Sequence, residues 1–277
     1  MELWIKILQF FDTRAEAPAS YGWFHLLWLG IMIAASVLAA LCGRKMQKKT
    51  VINIVLVMAI VTIVLEIYKQ INFTFGDGSE APAYLWYAFP WQFCSTPMYV
   101  MAIVPWVKTG KLRRALCAYL ATYALFAGLV VMVYPGDVFI ATIGVNIQTM
   151  VHHGAMVVIG VLLFVSKTVS THKKTIVYAL PVFCVLSALA LFANVVFHHT
   201  TDGAHSFNMF FISPYEVPTL VVFDKLYAYL PYPFYLLAYI FGFTLAAFLV
   251  LLVSSLIYQK NTHGEYYENN RNRNWRI

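Results

Sequence analysis

Nearly every lysine and arginine in this chain falls in four short intervals, and long apolar runs separate them. The basic residues cluster as Arg44, Lys45, Lys48 and Lys49, as Lys108, Lys111, Arg113 and Arg114, as Lys167, Lys173 and Lys174, and as Lys260, Arg271, Arg273 and Arg276, fifteen of the nineteen in the chain. The apolar runs between and around them cover residues 21–42, 51–71, 90–107, 112–134, 146–165, 175–197 and 232–258. Most approach the ~20 residues that an α-helix needs to cross a hydrocarbon core. With seven spans, all four basic clusters lie on one side. Glu2, Asp12, Glu16, Asp77, Glu80, Asp137, Asp202, Glu216 and Asp224 lie on the other, with only Lys6, Arg14 and Lys225 among the basic residues. The positive-inside rule then puts the N-terminus outside and the C-terminus in the cytoplasm.

Composition supports this reading. Hydrophobic residues make up 61% of the chain and charged residues 11%, against about 25% charged in soluble domains. The net charge of +7 is therefore an orientation signal with some attraction for anionic inner-leaflet lipid, and no nucleic-acid partner is expected. The expected fold is an all-α integral membrane protein, a seven-helix bundle over residues 1–258 with a polar, basic tail at 259–277. Residues 1–11 are too short and lack the basic start of a cleavable signal peptide; residues 3–11 read instead as a short interfacial helix.

Ionisable groups are costly in hydrocarbon, so each one inside a span is a candidate for function. His25 is one turn into the first span from the outside, and Glu66 lies near the outer end of the second. Trp91, Gln92 and Cys94 open the third. Asn146, Thr149, His152 and His153 occupy the outer half of the fifth, and Asn194 and His198 end the sixth. All converge on the outer half of the bundle. On the fifth span Asn146, Thr149 and His153 share one helical stripe, while Gln148 and His152 share another. An outward-opening polar cavity follows as an expectation, with membrane lipid or an amphipathic small molecule as its partner. Residues 200–231 are too short to span and too apolar for a solvated loop, which suits a lid or re-entrant element. Each polar residue also has a plainer reading: His25 as an interfacial histidine beside Trp23 and Trp28, Glu66 as the partner of Lys69, one of His152 and His153 as a helix–helix hydrogen bond, Cys94 as a small buried thiol. The four cysteines, Cys42, Cys94, Cys117 and Cys184, show no CxxC spacing, so neither disulfide framework nor zinc site is expected, nor any cofactor.

The string Phe89-Pro90-Trp91-Gln92-Phe93-Cys94-Ser95 resembles the "LPLHLCS" element of YwaF-type bacterial integral membrane proteins. His152-His153-Gly154 is similar to their "SHG" element. Asn208-Met209 with Pro214, and Pro231-Tyr232-Pro233-Phe234-Tyr235, resemble "NYM…P" and "GPWPWY". That family is remotely similar to a eukaryotic TMEM-type acyltransferase that places polyunsaturated acyl chains on ether phospholipids, using a cysteine and a histidine. Its histidine maps to His153; its cysteine falls on Trp91, and Cys94 instead matches the cysteine of the bacterial motif. The resemblance implies a multi-pass protein of a bacterial plasma membrane and a lipid acyltransferase or acyl hydrolase of the outer leaflet. His153 and Cys94 would be its chemical groups, assisted by His152. In the thioester route Cys94 takes the acyl chain, with Gln92, Asn194 and Asn146 as oxyanion donors. In the other, His153 acts as general base on an acceptor hydroxyl, oriented by Glu66. The alternative class is a non-enzymatic binder or transporter using the same cavity.

The topology is open to a direct check. In intact cells Ser79→Cys should react with an impermeant maleimide and Thr171→Cys should not; the reverse pattern overturns the orientation.

Overall fold

The computed structural model describes residue 6 and residues 14–75, 83–136 and 138–273, with side chains as far as residue 257. Among these residues six helices are long and apolar enough to cross a membrane. They are α1 (Trp23–Gly43), α2 (Lys48–Phe75), α4 (Lys111–Val133), α5 (Ile143–Val165), α6 (Thr175–Thr200) and α8 (Tyr232–Arg273). Two short helices, α3 (Thr96–Ile103) and α7 (Phe223–Tyr229), stand between them. The interfacial helix expected at 3–11 lies outside the described residues. The polar stretch expected as a tail begins as a continuation of α8 to Arg273.

Where sequence suggests a full span over 90–107, the structure has only the eight residues of α3. At 1.5 Å per residue these cover about 12 Å, well short of a ~30 Å hydrocarbon core. Three prolines explain the shortfall. Pro90 precedes the turns at 91–95, Pro97 sits in the first turn of α3, and Pro105 follows its end, and each removes a backbone donor. The segment still returns the chain across the bundle. Gly128 packs on His153 and Met156 and Gly160 on Leu125, so α4 and α5 are antiparallel. Gly144 meets Tyr68 while Gln148 bonds Glu66, so α2 also opposes α5. α2 and α4 therefore run the same way, and the chain between them must come back. Its irregular backbone is tolerated because protein surrounds it: Phe93, Ser95, Thr96, Met98, Val100, Met101 and Val104 are all buried.

α4 carries a π-helical turn at Leu120–Ala124. Tyr119 and Tyr123 project from this region into the core. The Tyr119 hydroxyl lies 3.1 Å from Thr96 Oγ1 and the Tyr123 hydroxyl 2.9 Å from Thr244 Oγ1, tying α4 to α3 and α8. Tyr119, Tyr123, Phe183 and Tyr239 stack ring on ring through the middle of the bundle.

At the end where α2 and α6 finish, called the upper end here, residues 207–213 fold back into the bundle. Phe207, Met209, Phe210, Ile212 and Ser213 are buried, and Phe210 packs on Phe93 and Phe183. Phe210 and Phe211 both take φ of 59°, a left-handed conformation unfavourable for large side chains, held by side chains from the turn before α3, from α6 and from α8. The expected re-entrant element is present. It fills the place where a polar cavity opening upward is expected, because aromatic packing there leaves little room for solvent.

At Gly128 the backbones of α4 and α5 approach closely. A Cβ on Gly128 would stand 2.6 Å from the His153 carbonyl oxygen, whereas one on Gly30 of α1 would meet nothing within 4 Å. A backbone oxygen cannot turn aside as a side chain can. Gly128→Ala should therefore cost about 1–3 kcal/mol, and Gly30→Ala should be neutral or stabilising by up to about 1 kcal/mol, both read as thermal unfolding in detergent micelles.

Candidate functional site

The polar residues of α2, α5 and the turn before α3 meet in the upper half. Glu66 is only 3% exposed and holds three donors: Lys69 Nζ at 2.7 Å and Gln70 Nε2 at 2.6 Å, both on Oε1, and Gln148 Nε2 at 3.0 Å on Oε2. Burying a carboxylate requires such company. Its partner on another helix is Gln148, not His153, His25 or Gln92. Gln70 extends the network by donating to the Ala88 carbonyl at 3.0 Å and accepting from the Tyr84 hydroxyl at 2.5 Å. Burial first, and then the charge of Glu66, push the Tyr84 hydroxyl up to about 12, so it stays a donor.

His152 and His153 are both buried on α5, with ring centroids 5.6 Å apart. His152 Nε2 lies 2.8 Å from the Cys94 carbonyl, and His153 Nδ1 lies 2.7 Å from the Thr149 carbonyl. A carbonyl only accepts, so each of these nitrogens carries the hydrogen, and the acceptor fixes the tautomer. The opposite nitrogens, His152 Nδ1 and His153 Nε2, are buried with no partner among the described residues. The carbonyl of Thr149 thus orients His153 in place of Glu66, whose oxygens are already engaged. Lys69 and Gln148 meet on the Glu66 carboxylate, and His152, one turn beyond Gln148, meets the Cys94 carbonyl, which brings these groups into one neighbourhood.

The remaining sequence candidates have other tasks. His25 accepts from the Tyr21 N–H at 3.0 Å and donates through Nε2 to the Met132 carbonyl at 2.9 Å; with both nitrogens bonded, it ties α1 to the end of α4. The three proposed oxyanion donors each clamp a loop through the two atoms of one carboxamide. Gln92 accepts from Phe210 N–H at 3.1 Å and donates to the Asn208 carbonyl at 3.2 Å. Asn194 accepts from Met209 N–H at 2.8 Å and donates to its carbonyl at 3.0 Å. Asn146 does the same to Ile140, at 2.9 and 2.7 Å. Loops inside a bundle have no water to bond, so carboxamides that mimic a backbone strand supply the partners. His198 stacks flat on Tyr215 at 3.7 Å, in the segment above the bundle. Trp91 stacks on Tyr99 at 5.5 Å, and its buried indole N–H has no acceptor among the described residues. Among the described residues no three His, Cys, Asp or Glu side chains converge as metal ligands would.

Sequence reading missed Gln70, Tyr84 and Tyr99. Gln70 was findable one turn beyond Glu66; the other two reach the site only through the fold. Removing the carboxylate strands its donors: Glu66→Ala should cost about 1–3 kcal/mol for the orphaned Gln148 in thermal unfolding, and Gln148→Leu, which leaves Lys69 and Gln70 on Glu66, should cost less.

Neither curated proteins nor solved structures gave a match to the chain. A family model does match, over residues 20–257, which takes in the membrane-crossing part of every long helix and every residue of the site just described. That span is well over half of the 277 residues, and the chain belongs to the TMEM164 family.

Proposed function

We propose that this multi-pass membrane protein is an acyltransferase or acyl hydrolase acting on lipid from the upper half of the bundle, which the charge pattern assigns to the outer leaflet. One observation carries the reading: two adjacent buried imidazoles, each with its tautomer fixed by a carbonyl, present unpartnered lone pairs beside the turn that carries Cys94. A neutral imidazole with a bare nitrogen is a general base, and orientation of its other nitrogen is what such a base requires. The sequence resemblance to lipid acyltransferases points to the same histidine.

In the direct route an acceptor hydroxyl gives its proton to His153 Nε2 as its oxygen attacks the acyl carbonyl. The ester C–O bond then breaks, and the leaving alkoxide takes that proton back. In the thioester route the Cys94 thiol gives its proton to an imidazole and Sγ attacks the acyl carbonyl. The leaving alkoxide takes the proton. An acceptor hydroxyl or water then gives up its own proton and attacks the thioester, and Sγ leaves as the thiol. His152, anchored to the Cys94 carbonyl, sets the position of that turn in either route. Glu66 acts through Gln148, one helical turn before His152 on α5. The alternative, a non-enzymatic binder of an amphipathic molecule, draws support from an apolar groove on α2, described below.

Loss of a general base costs about 10²–10⁴-fold in rate. His153→Ala, reconstituted with phospholipid and a lysolipid acceptor, should therefore lose acyl transfer and hydrolysis by that factor, measured by lipid mass spectrometry, with unfolding temperature maintained. Cys94→Ser separates the routes: loss of product together with a covalent acyl-protein adduct assigns the thioester, and retention assigns direct attack. Unchanged products from His153→Ala would leave only the binder.

A further inference from the structure

The bundle is shut at its upper end and cut open on its flank. Residues 207–213 close the axial approach, gripped by Gln92 and Asn194 and by the Tyr235 hydroxyl, which donates to the Phe211 carbonyl at 2.7 Å. Between α2 and the turn leading into α3 lies a cavity of about 400 Å³. Its walls are Ile63, Ile67, Ile71 and Phe75 against Met98 and Tyr99, and its polar lining residues are Glu66, Gln70 and Thr74. Ile67 is 56% exposed, and Ile60 and Val64 beside it on the same helix are exposed as well. On a helix long enough to span, such a face meets lipid, so the mouth of the groove opens into hydrocarbon.

A slot with hydrocarbon walls, a hydrocarbon-facing mouth and a polar floor suits an alkyl chain that ends in an ester. A polar solute would have to cross lipid to reach it. The far wall continues into the reacting turn: Pro90 and Met98, both lining residues, bracket Trp91 and Cys94. Trp91 stacks on Tyr99 with its N–H unengaged, a donor next to the wall where an ester oxygen would come to rest. We infer that the groove is a lateral portal through which one hydrocarbon chain of a bilayer lipid slides between α2 and α3, with its ester directed to the Cys94 turn. This rests on the acyl-transfer reading for its purpose, while occupancy of the groove can be measured without any chemistry.

The probe is a phosphatidylcholine carrying a diazirine in its acyl chain, mixed into nanodiscs with the full-length protein, photolysed, and mapped by peptide mass spectrometry. Adducts should concentrate on residues 63–75 and on Met98 and Tyr99, several-fold above the exposed Leu27, Ile31 and Leu38 of α1, which report ordinary annular contact. Ile67→Trp, which fills the mouth, should reduce groove adducts several-fold and leave those on α1 unchanged; Ile67→Ala should keep them. Equal labelling of groove and α1, or groove labelling indifferent to Ile67→Trp, overturns the portal. Product formation that persists in Ile67→Trp after groove labelling is lost also overturns it, leaving the enzyme standing. Groove-specific labelling in a wild-type protein that forms no acyl product retires the enzyme and keeps the portal as a lipid-binding site.

Discussion

Backbone amides in a membrane bundle have nowhere to bond except protein, and the grip of Gln92 and Asn194 on residues 208–210 is where this constraint shapes the molecule most. Two left-handed phenylalanines in succession would not persist in an open loop. Here Gln92 and Asn194 meet the Asn208 carbonyl, both backbone groups of Met209 and the Phe210 N–H, and the Tyr235 hydroxyl meets the Phe211 carbonyl, so the strained turn leaves few groups unbonded. With that turn in place the upper mouth is aromatic and closed, and reagents from the aqueous side are excluded. The groove beside α2 reaches the Glu66 and Gln70 side chains of the polar cluster.

Depth in the bundle is set by the contact of α4 with α5. Gly128 lets the two backbones approach until a Cβ would touch the His153 carbonyl, and small residues serve this purpose in membrane interfaces, where close packing replaces the hydrophobic effect. The turn of α5 bearing both histidines is thus fixed from one side by α4. From the other it is fixed by α2 through Glu66 and Gln148. Neither restraint touches the imidazole lone pairs. A scaffold that holds two rings rigidly and keeps one nitrogen of each unpartnered is what a base or a ligand site needs.

Much of this was legible in the chain. Six of the seven apolar runs coincide with helices long and apolar enough to cross a membrane, because unpaired lysines and arginines are costly in hydrocarbon and gather between such helices. The depth shared by Glu66, Cys94, His152 and His153 was legible for the same reason. The run at 90–107 misled because hydropathy is blind to Pro97 and Pro105, whose effect is on backbone donors and not on transfer energy. The carboxamides misled differently. Asn146, Gln92 and Asn194 look alike as free donors in sequence, since the loop atoms they bind come from positions 6, 116 to 118 and 15 residues away and meet them only after folding. Helical stripes likewise paired Gln148 with His152 on one face yet said nothing of Glu66 across the interface.

The energetic contrast between His25 and the pair on α5 separates a fully bonded histidine from two half-bonded ones within one chain. All three are buried, and a buried imidazole without hydrogen bonds loses about 1–3 kcal/mol for each polar atom left unmet. His25 avoids that loss completely, with a donor on one side and an acceptor on the other, as a residue selected for packing would. His152 and His153 each keep one bond and forgo the second, although Gln148 and Thr149 stand on the same helix with hydrogen-bonding groups of their own. Folding alone would favour replacing these rings with apolar ones of similar size, which fill the space without the penalty. Retaining two half-satisfied imidazoles side by side, one of them bonded to the Cys94 carbonyl, fits the proposal that the missing partner is a substrate atom.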